Sequence, residues 1–299
     1  MTEITRRGLL QGAAALLVPP ALAQQLKSPW KIGGFTKTLQ DLSYERTAEV
    51  AADLGWDGIE CAVRAKGQVL PERVEEELPR LAGALGAKGL ELLVMATDIR
   101  AVDEPFTAKL LRTAAKLGIR LYRLGPFRYQ EGMEIPRQLA NIGARLKDLA
   151  ALNRELGVTG LVQNHSGNGY VGAGIWDLYE LVKDRDPREL GVHFDFGHAT
   201  VESGLSWPTA FSLVADRVGA VIVKDFFWKH APGEGAKLEW CPIGQGAVNP
   251  RFVKMLEAAR FRGPITMQFE YPFPGGEGLE SRLRAMKADG QKLREWLSG

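Results

Sequence analysis

The sequence predicts a single (β/α)8 TIM barrel, an α/β fold, on three observations. Short apolar, β-branched runs alternate with amphipathic stretches eight times over about 270 residues. Glycine stands just past the apolar face of four amphipathic stretches, at Leu54-Gly55, Leu85-Gly86, Leu117-Gly118 and Leu156-Gly157, where a helix C-terminus favours it. No G-x-G-x-x-G follows the first apolar run, which weighs against the competing doubly wound sheet. Strict alternation calls for parallel strands joined by crossover helices. Eight such units close into a barrel.

Along the chain, the strand runs are rich in apolar and β-branched residues, and the helices carry spaced apolar positions. A strand over 31–35 leads to a helix over 44–54. The second strand, 58–63, precedes a helix over 72–85, and the third, 90–96, a helix over 106–117. The fourth unit joins 121–125 to the long stretch 135–156, and the fifth joins 160–164 to 175–183. The sixth pairs 191–196 with 208–215, the seventh 220–226 with 251–259, and the eighth 264–271 with 279–297. Nothing like a linker or low-complexity segment divides 24–299, so it reads as one domain.

Residues 1–23 read as an address. Arg6-Arg7 precede a short apolar run from Gly12 to Val18, and Ala21-Leu22-Ala23 closes it, the three parts of a cleavable export signal. The paired arginines resemble the twin-arginine type. The apolar stretch is too short to span a bilayer. The mature protein is therefore expected in the periplasm, free of the membrane.

Composition narrows the function. With 38 basic and 36 acidic residues among 299, the net charge of +2 gives no footprint for a nucleic-acid partner. Two cysteines build neither a disulfide framework nor a zinc module, and four histidines (165, 193, 198 and 230) argue against a trinuclear zinc nuclease. No glycine-rich cradle points to a nucleotide cofactor. A homo-oligomer is compatible with the sequence.

A barrel places its chemistry at the C-terminal ends of the strands, where alternate residues share a face. Strand five pairs Gln163 with His165, strand six His193 with Asp195, strand seven Ile222 with Lys224, and strand eight Gln268 with Glu270, with His198 just past strand six. Polar groups at four successive strand ends are costly to bury without purpose. Glu60 and Arg123, at the ends of strands two and four, and the flat face of Trp228 suit a sugar.

These segments carry a family resemblance. Gly55-Trp56-Asp57-Gly58-Ile59-Glu60, Gln163-Asn164-His165-Ser166-Gly167, Asp195-Phe196-Gly197-His198, Val223-Lys224-Asp225, Pro242-Ile243-Gly244-Gln245-Gly246 and Phe269-Glu270-Tyr271 resemble, in order and spacing, the xylose isomerase-like barrels. Sugar and sugar-phosphate isomerases and epimerases belong to them. The resemblance implies a divalent metal, Mn²⁺ or Mg²⁺, held by Asp195 and Glu270. Gln163 stands where a glutamate ligand is expected and Ile222 where a histidine is. Gln163 offers only a neutral oxygen and Ile222 none, so the implied ligand set shrinks to Asp195, Glu270 and Gln163. Lys224 offers a substitute positive charge.

The expected activity is proton abstraction next to a carbonyl, by an exported sugar isomerase or epimerase acting on an unphosphorylated sugar or keto-glycoside. Glu270 is the expected base and His165 or His198 the acid, with Lys224 stabilising the enolate and Glu60, Arg123, Gln163 and Trp228 binding substrate. The alternatives are a keto-glycoside lyase or hydratase, and a non-catalytic sugar-binding barrel.

Overall fold

The computed structural model describes residues 28–230, 232–233 and 235–299, so the export segment and its boundary lie outside the described residues. Eight parallel strands close in the order β1-β10-β7-β6-β5-β4-β3-β2. They are β1 (Ile32–Phe35), β2 (Gly58–Ala62), β3 (Glu91–Ala96), β4 (Leu121–Arg123), β5 (Thr159–Gln163), β6 (Leu190–Asp195), β7 (Val218–Val223) and β10 (Ile265–Met267). Around them run α1 (Tyr44–Asp53), α2 (Val74–Gly86), α3 (Thr107–Lys116), α4 (Ile135–Leu156), α5 (Ile175–Val182), α6 (Phe196–Ser203), α7 (Trp207–Val214), α8 (Phe252–Ala258) and α9 (Leu279–Ser298). The predicted barrel is the observed one.

Strand eight ends at Met267 rather than at residue 271, so Gln268 and Glu270 stand just past it, and two further elements depart from the expectation. The run read as one strand over 220–226 breaks at Lys224. Beyond the break, β8 (Asp225–Lys229) turns back as an antiparallel hairpin with β9 (Lys237–Cys241). One residue causes this. Asp225 accepts from the backbone N–H of Phe226 and Val248 through Oδ1 (both 2.9 Å), and from Gly244 and Gly246 through Oδ2 (2.9 and 3.0 Å). A carboxylate that gathers four amides ends the ladder and ties the Pro242–Gly246 loop to the hairpin base. At Gly246 a Cβ would stand 2.2 Å from the Phe226 carbonyl oxygen, so the loop admits only glycine there. Asp225→Ala would strand buried donors at about 1–3 kcal/mol each. We expect it to lower unfolding free energy by about 3 kcal/mol or more in a urea titration.

The second departure is α6. Strand six passes directly into a helix because Asp195 is its N-cap, with Oδ1 accepting from the His198 N–H at 2.9 Å. The expectation placed only 208–215 here. A capping aspartate that also ends a strand leaves no turn residues to mark the boundary.

Between barrel and helices the core is apolar, with Phe194, Phe196, Phe211 and Phe252 packed edge-to-face and stacked. The barrel interior toward the C-terminal mouth is polar instead. Fully buried Glu60 accepts from Thr266 Oγ1 at 2.7 Å across the barrel. His193 is fully buried with neither ring nitrogen bonded, and burial first, then the Arg123 charge, push it down to about 3. It is a neutral filler beneath the mouth. Cys61 and Cys241 are free and buried. Among the described residues no helix is long and apolar enough to cross a membrane.

Candidate active site

The strand ends converge on Lys224, whose side chain is 2% exposed. Its Nζ lies 2.8 Å from Glu270 Oε2, 2.8 Å from His198 Nε2, 3.3 Å from Asp195 Oδ2 and 3.5 Å from Gln268 Oε1. The Trp240 ring, from β9, covers it at 4.4 Å. Lys224 reaches this point because Gly197 clears its stem. A Cβ there would stand 2.8 Å from Lys224 Cγ and 3.0 Å from its carbonyl oxygen.

The proton positions follow from what each group can do. An ammonium only donates, so His198 Nε2 accepts and its proton sits on Nδ1, which donates to Ser166 Oγ at 2.7 Å. Burial, then the Lys224 charge, hold His198 well below its ordinary pKa. His165 donates from Nδ1 to the Ser166 carbonyl at 2.8 Å, which leaves Nε2 bare. Burial pushes its pKa down too. The two imidazoles meet at a tilt with centroids 4.0 Å apart, and Tyr170 stacks on His165 at 4.1 Å.

The carboxylates divide the work. Asp195 is fully buried, and Asn164 clasps its backbone from both sides, accepting its N–H at 2.8 Å and donating to its carbonyl at 2.9 Å. Its Oδ2 takes the Gln163 amide N–H at 3.1 Å. Glu270 has a side chain 30% exposed. Burial raises its pKa, but the charge and hydrogen bond of Lys224 outweigh that and hold it below the ordinary value. Fully buried Glu60 is raised by burial and opposed by Arg123, 3.6 Å away.

A cavity of about 200 Å³ opens beside this cluster, lined by Arg64, Arg123, Gln163, His165, Gln268 and Glu270 among others. It is smaller than the ~300–1,000 Å³ of pockets for drug-sized ligands, and so suits one sugar ring rather than a chain. A larger open groove lies outside it, sharing Pro126 and Phe127.

The structure thus brings together Gln163, His165, Asp195, His198, Lys224 and Glu270, with Arg123 joined through Gln163. Glu60 sits beneath the cavity and supports Arg123 and Gln268 rather than facing a ligand. Trp228 does not join the cluster. It lies on the hairpin, 44% exposed, edge-on to Phe226. Trp240 covers the Lys224 ammonium instead, and it, Ser166 and Asn164 are residues the sequence did not single out. Of the three, Ser166 and Asn164 stand inside the quoted Gln163–Gly167 segment. Trp240 belongs to a hairpin that the strand pattern hid.

The expected metal ligands do not fit a divalent ion in this arrangement. Asp195, Glu270 and His198 already converge on the Lys224 ammonium. Arg123, a pure donor, takes the Gln163 side-chain oxygen and leaves Asp195 facing its NH₂. Among the described residues no three His, Cys, Asp or Glu are grouped to hold a metal.

Solved structures of this shape include a 3-keto-D-glucoside 4-epimerase from E. coli, at 13% identity and TM-score 0.68, covering 89% of this chain and 99% of that one. A D-psicose 3-epimerase from Clostridium cellulolyticum H10 superposes at 15% identity and TM-score 0.62, covering 89% and 96%. A probable 3-DHS dehydratase from Bacillus anthracis does so at 16% and 0.65, covering 88% and 98%. At these identities the likeness is one of fold. No curated protein matches by sequence. The family profile described as xylose isomerase-like TIM barrel matches residues 48–289, most of the sequence. The closed parallel barrel, its polar C-terminal mouth and that match agree: the chain belongs to the xylose isomerase-like TIM barrel family.

Proposed function

We propose that this chain is an isomerase- or epimerase-type enzyme that removes the proton next to a carbonyl of an unphosphorylated sugar or keto-glycoside. One observation carries the reading. Glu270 is the single carboxylate lining the cavity among the described residues, and Lys224 grips its Oε2 from behind. Ionised and oriented, Glu270 takes the proton. Negative charge then grows on the carbonyl oxygen, where the Arg123 guanidinium faces the cavity. Lys224 does not line the cavity, so it acts through Glu270 as a positioning residue. His165 presents a bare Nε2 to the same space and is the second proton-handling group. His198, with both nitrogens engaged, fixes Lys224. No step runs through a metal.

The same geometry favours elimination as a second reading, because a single carboxylate suits removal of one proton followed by loss of a leaving group. The fold likenesses to epimerases and to a dehydratase support both readings. Incubation with a 3-keto-glucoside in D₂O, followed by NMR, tests them. Deuterium at the carbon next to the ketone is expected. Inversion there marks an epimerase, and release of the aglycone marks a lyase. Binding without exchange would leave only a sugar-binding barrel.

We also infer export by the twin-arginine route, on the Arg6-Arg7 pair ahead of the Gly12–Val18 apolar run and the closing Ala21-Leu22-Ala23. Changing both to Lys should leave unprocessed precursor in the cytoplasm, because the paired guanidinium groups are what the pathway reads. Undiminished mature protein in the periplasm would refute it.

A further inference from the structure

The charge of the cavity wall is one-sided. Its charged lining residues are Lys37, Arg64, Arg123 and Glu270. Glu270 is already paired with Lys224, and Arg123 is engaged by Gln163 and by Glu60. Lys37 and Arg64 remain. Neither makes a hydrogen bond or ion pair through its side chain among the described residues. Arg64 is half-buried in the bend just past β2, its guanidinium carbon 5.8 Å from the centre of the Phe35 ring. Arg123 stands 5.6 Å from the same ring. Burial and the neighbouring Arg123 charge press Arg64 below its ordinary pKa, while the carboxylates of Asp98 and Glu60 act on it only through space. The turn that carries it is closed by the Gly67 N–H on the Arg64 carbonyl at 2.8 Å. A preplaced guanidinium without a carboxylate, facing a sugar-sized space, matches a ligand that brings its own.

We propose that the cavity takes a sugar acid, with the substrate carboxylate held by Arg64 and Lys37 while its carbonyl side lies against Glu270. This rests on the reading of the cavity as the place of proton abstraction, and it narrows the substrate to anionic sugars. A neutral sugar would leave the Arg64 charge half-buried and unanswered. The carboxylate answers it and fixes the ring's orientation before the proton is taken.

Isothermal titration of glucuronate and of glucose into the whole protein tests this without any turnover. Glucuronate should bind tenfold to a hundredfold more tightly, the range of hydrogen bonds to charged groups. The advantage should shrink in 300 mM salt. Arg64→Met should bring the two affinities together, and Arg64→Lys, which keeps the charge but not the fork, should fall between. Equal affinities in the native protein, no detectable binding of glucuronate, or an unchanged ratio in both variants would overturn the proposal. The two readings fail separately. Selective glucuronate binding without α-proton exchange on any keto sugar sinks proton abstraction and keeps the acid site. Exchange on a neutral keto-glucoside with no preference for acids does the reverse.

Discussion

Lys224→Met should cost about 3–5 kcal/mol of stability, the usual effect of removing one partner from a buried ion pair. Asp195 has no exposure to water, while the Glu270 side chain is 30% exposed, so the loss falls mainly on the Asp195 side of the cluster. Without the ammonium the two carboxylates face each other across a space lined by neutral His198 and Gln268. The cluster then relaxes by taking up a proton, so the loss should be greatest at neutral pH and smaller near pH 4. Denaturant titrations at the two pH values measure it. The same substitution separates a site that has replaced a metal from one that merely binds it weakly. Gln163→Glu and Ile222→His add a carboxylate and an imidazole beside Asp195, which Ile222 faces in the ladder. With Lys224 in place its charge should repel Mn²⁺. With Lys224→Met added, the triple variant should bind Mn²⁺ tightly in a calorimetric titration, since both ligand types suit that ion. Tight Mn²⁺ binding by the native protein would contradict the ammonium assignment.

Glu270→Gln should keep the fold and cut turnover by roughly 10²-fold or more, the contribution of a positioned acid or base. The amide oxygen still accepts from Lys224, but it cannot take a proton. The pH profile gives a sharper reading. The base must be ionised, so rate falls as pH drops through the Glu270 pKa. Lys224 holds that pKa below the ordinary 4.5, and the limb that Glu270 sets should therefore lie below pH 4.5. In Lys224→Met, the main influence opposing burial is gone and the limb should move upward. A limb that stays in place would reduce Lys224 to a structural role. Normal turnover in Glu270→Gln would remove that residue from the mechanism.

The barrel was legible in the residues because its evidence is local. Each strand and helix announces itself locally by its period, four of the helices also by the glycine just past them, and strict alternation restricts the topology. Side-chain parity also put Gln163, His165, Asp195, Lys224 and Glu270 on the inward face. Boundaries were misread where one residue serves two elements, as Asp195 does in ending β6 and capping α6, and as Asp225 does in breaking β7 and anchoring the hairpin.

Roles within the site depended on the assembled barrel. Glu270 and Lys224 are 46 residues apart, His198 and Lys224 are 26 apart, and Thr266 and Glu60 are 206 apart. Parity tells which way a side chain leaves its strand, not how far it reaches or which partner it meets there. A long lysine stem can choose among several carboxylates, and in a buried place that choice is governed by which arrangement leaves no charge unanswered. Packing made it: Gly197 clears the path, Trp240 closes the top, and Arg123 claims the Gln163 oxygen. The chemistry was written in residue types, and the burial of their charges assigned the parts.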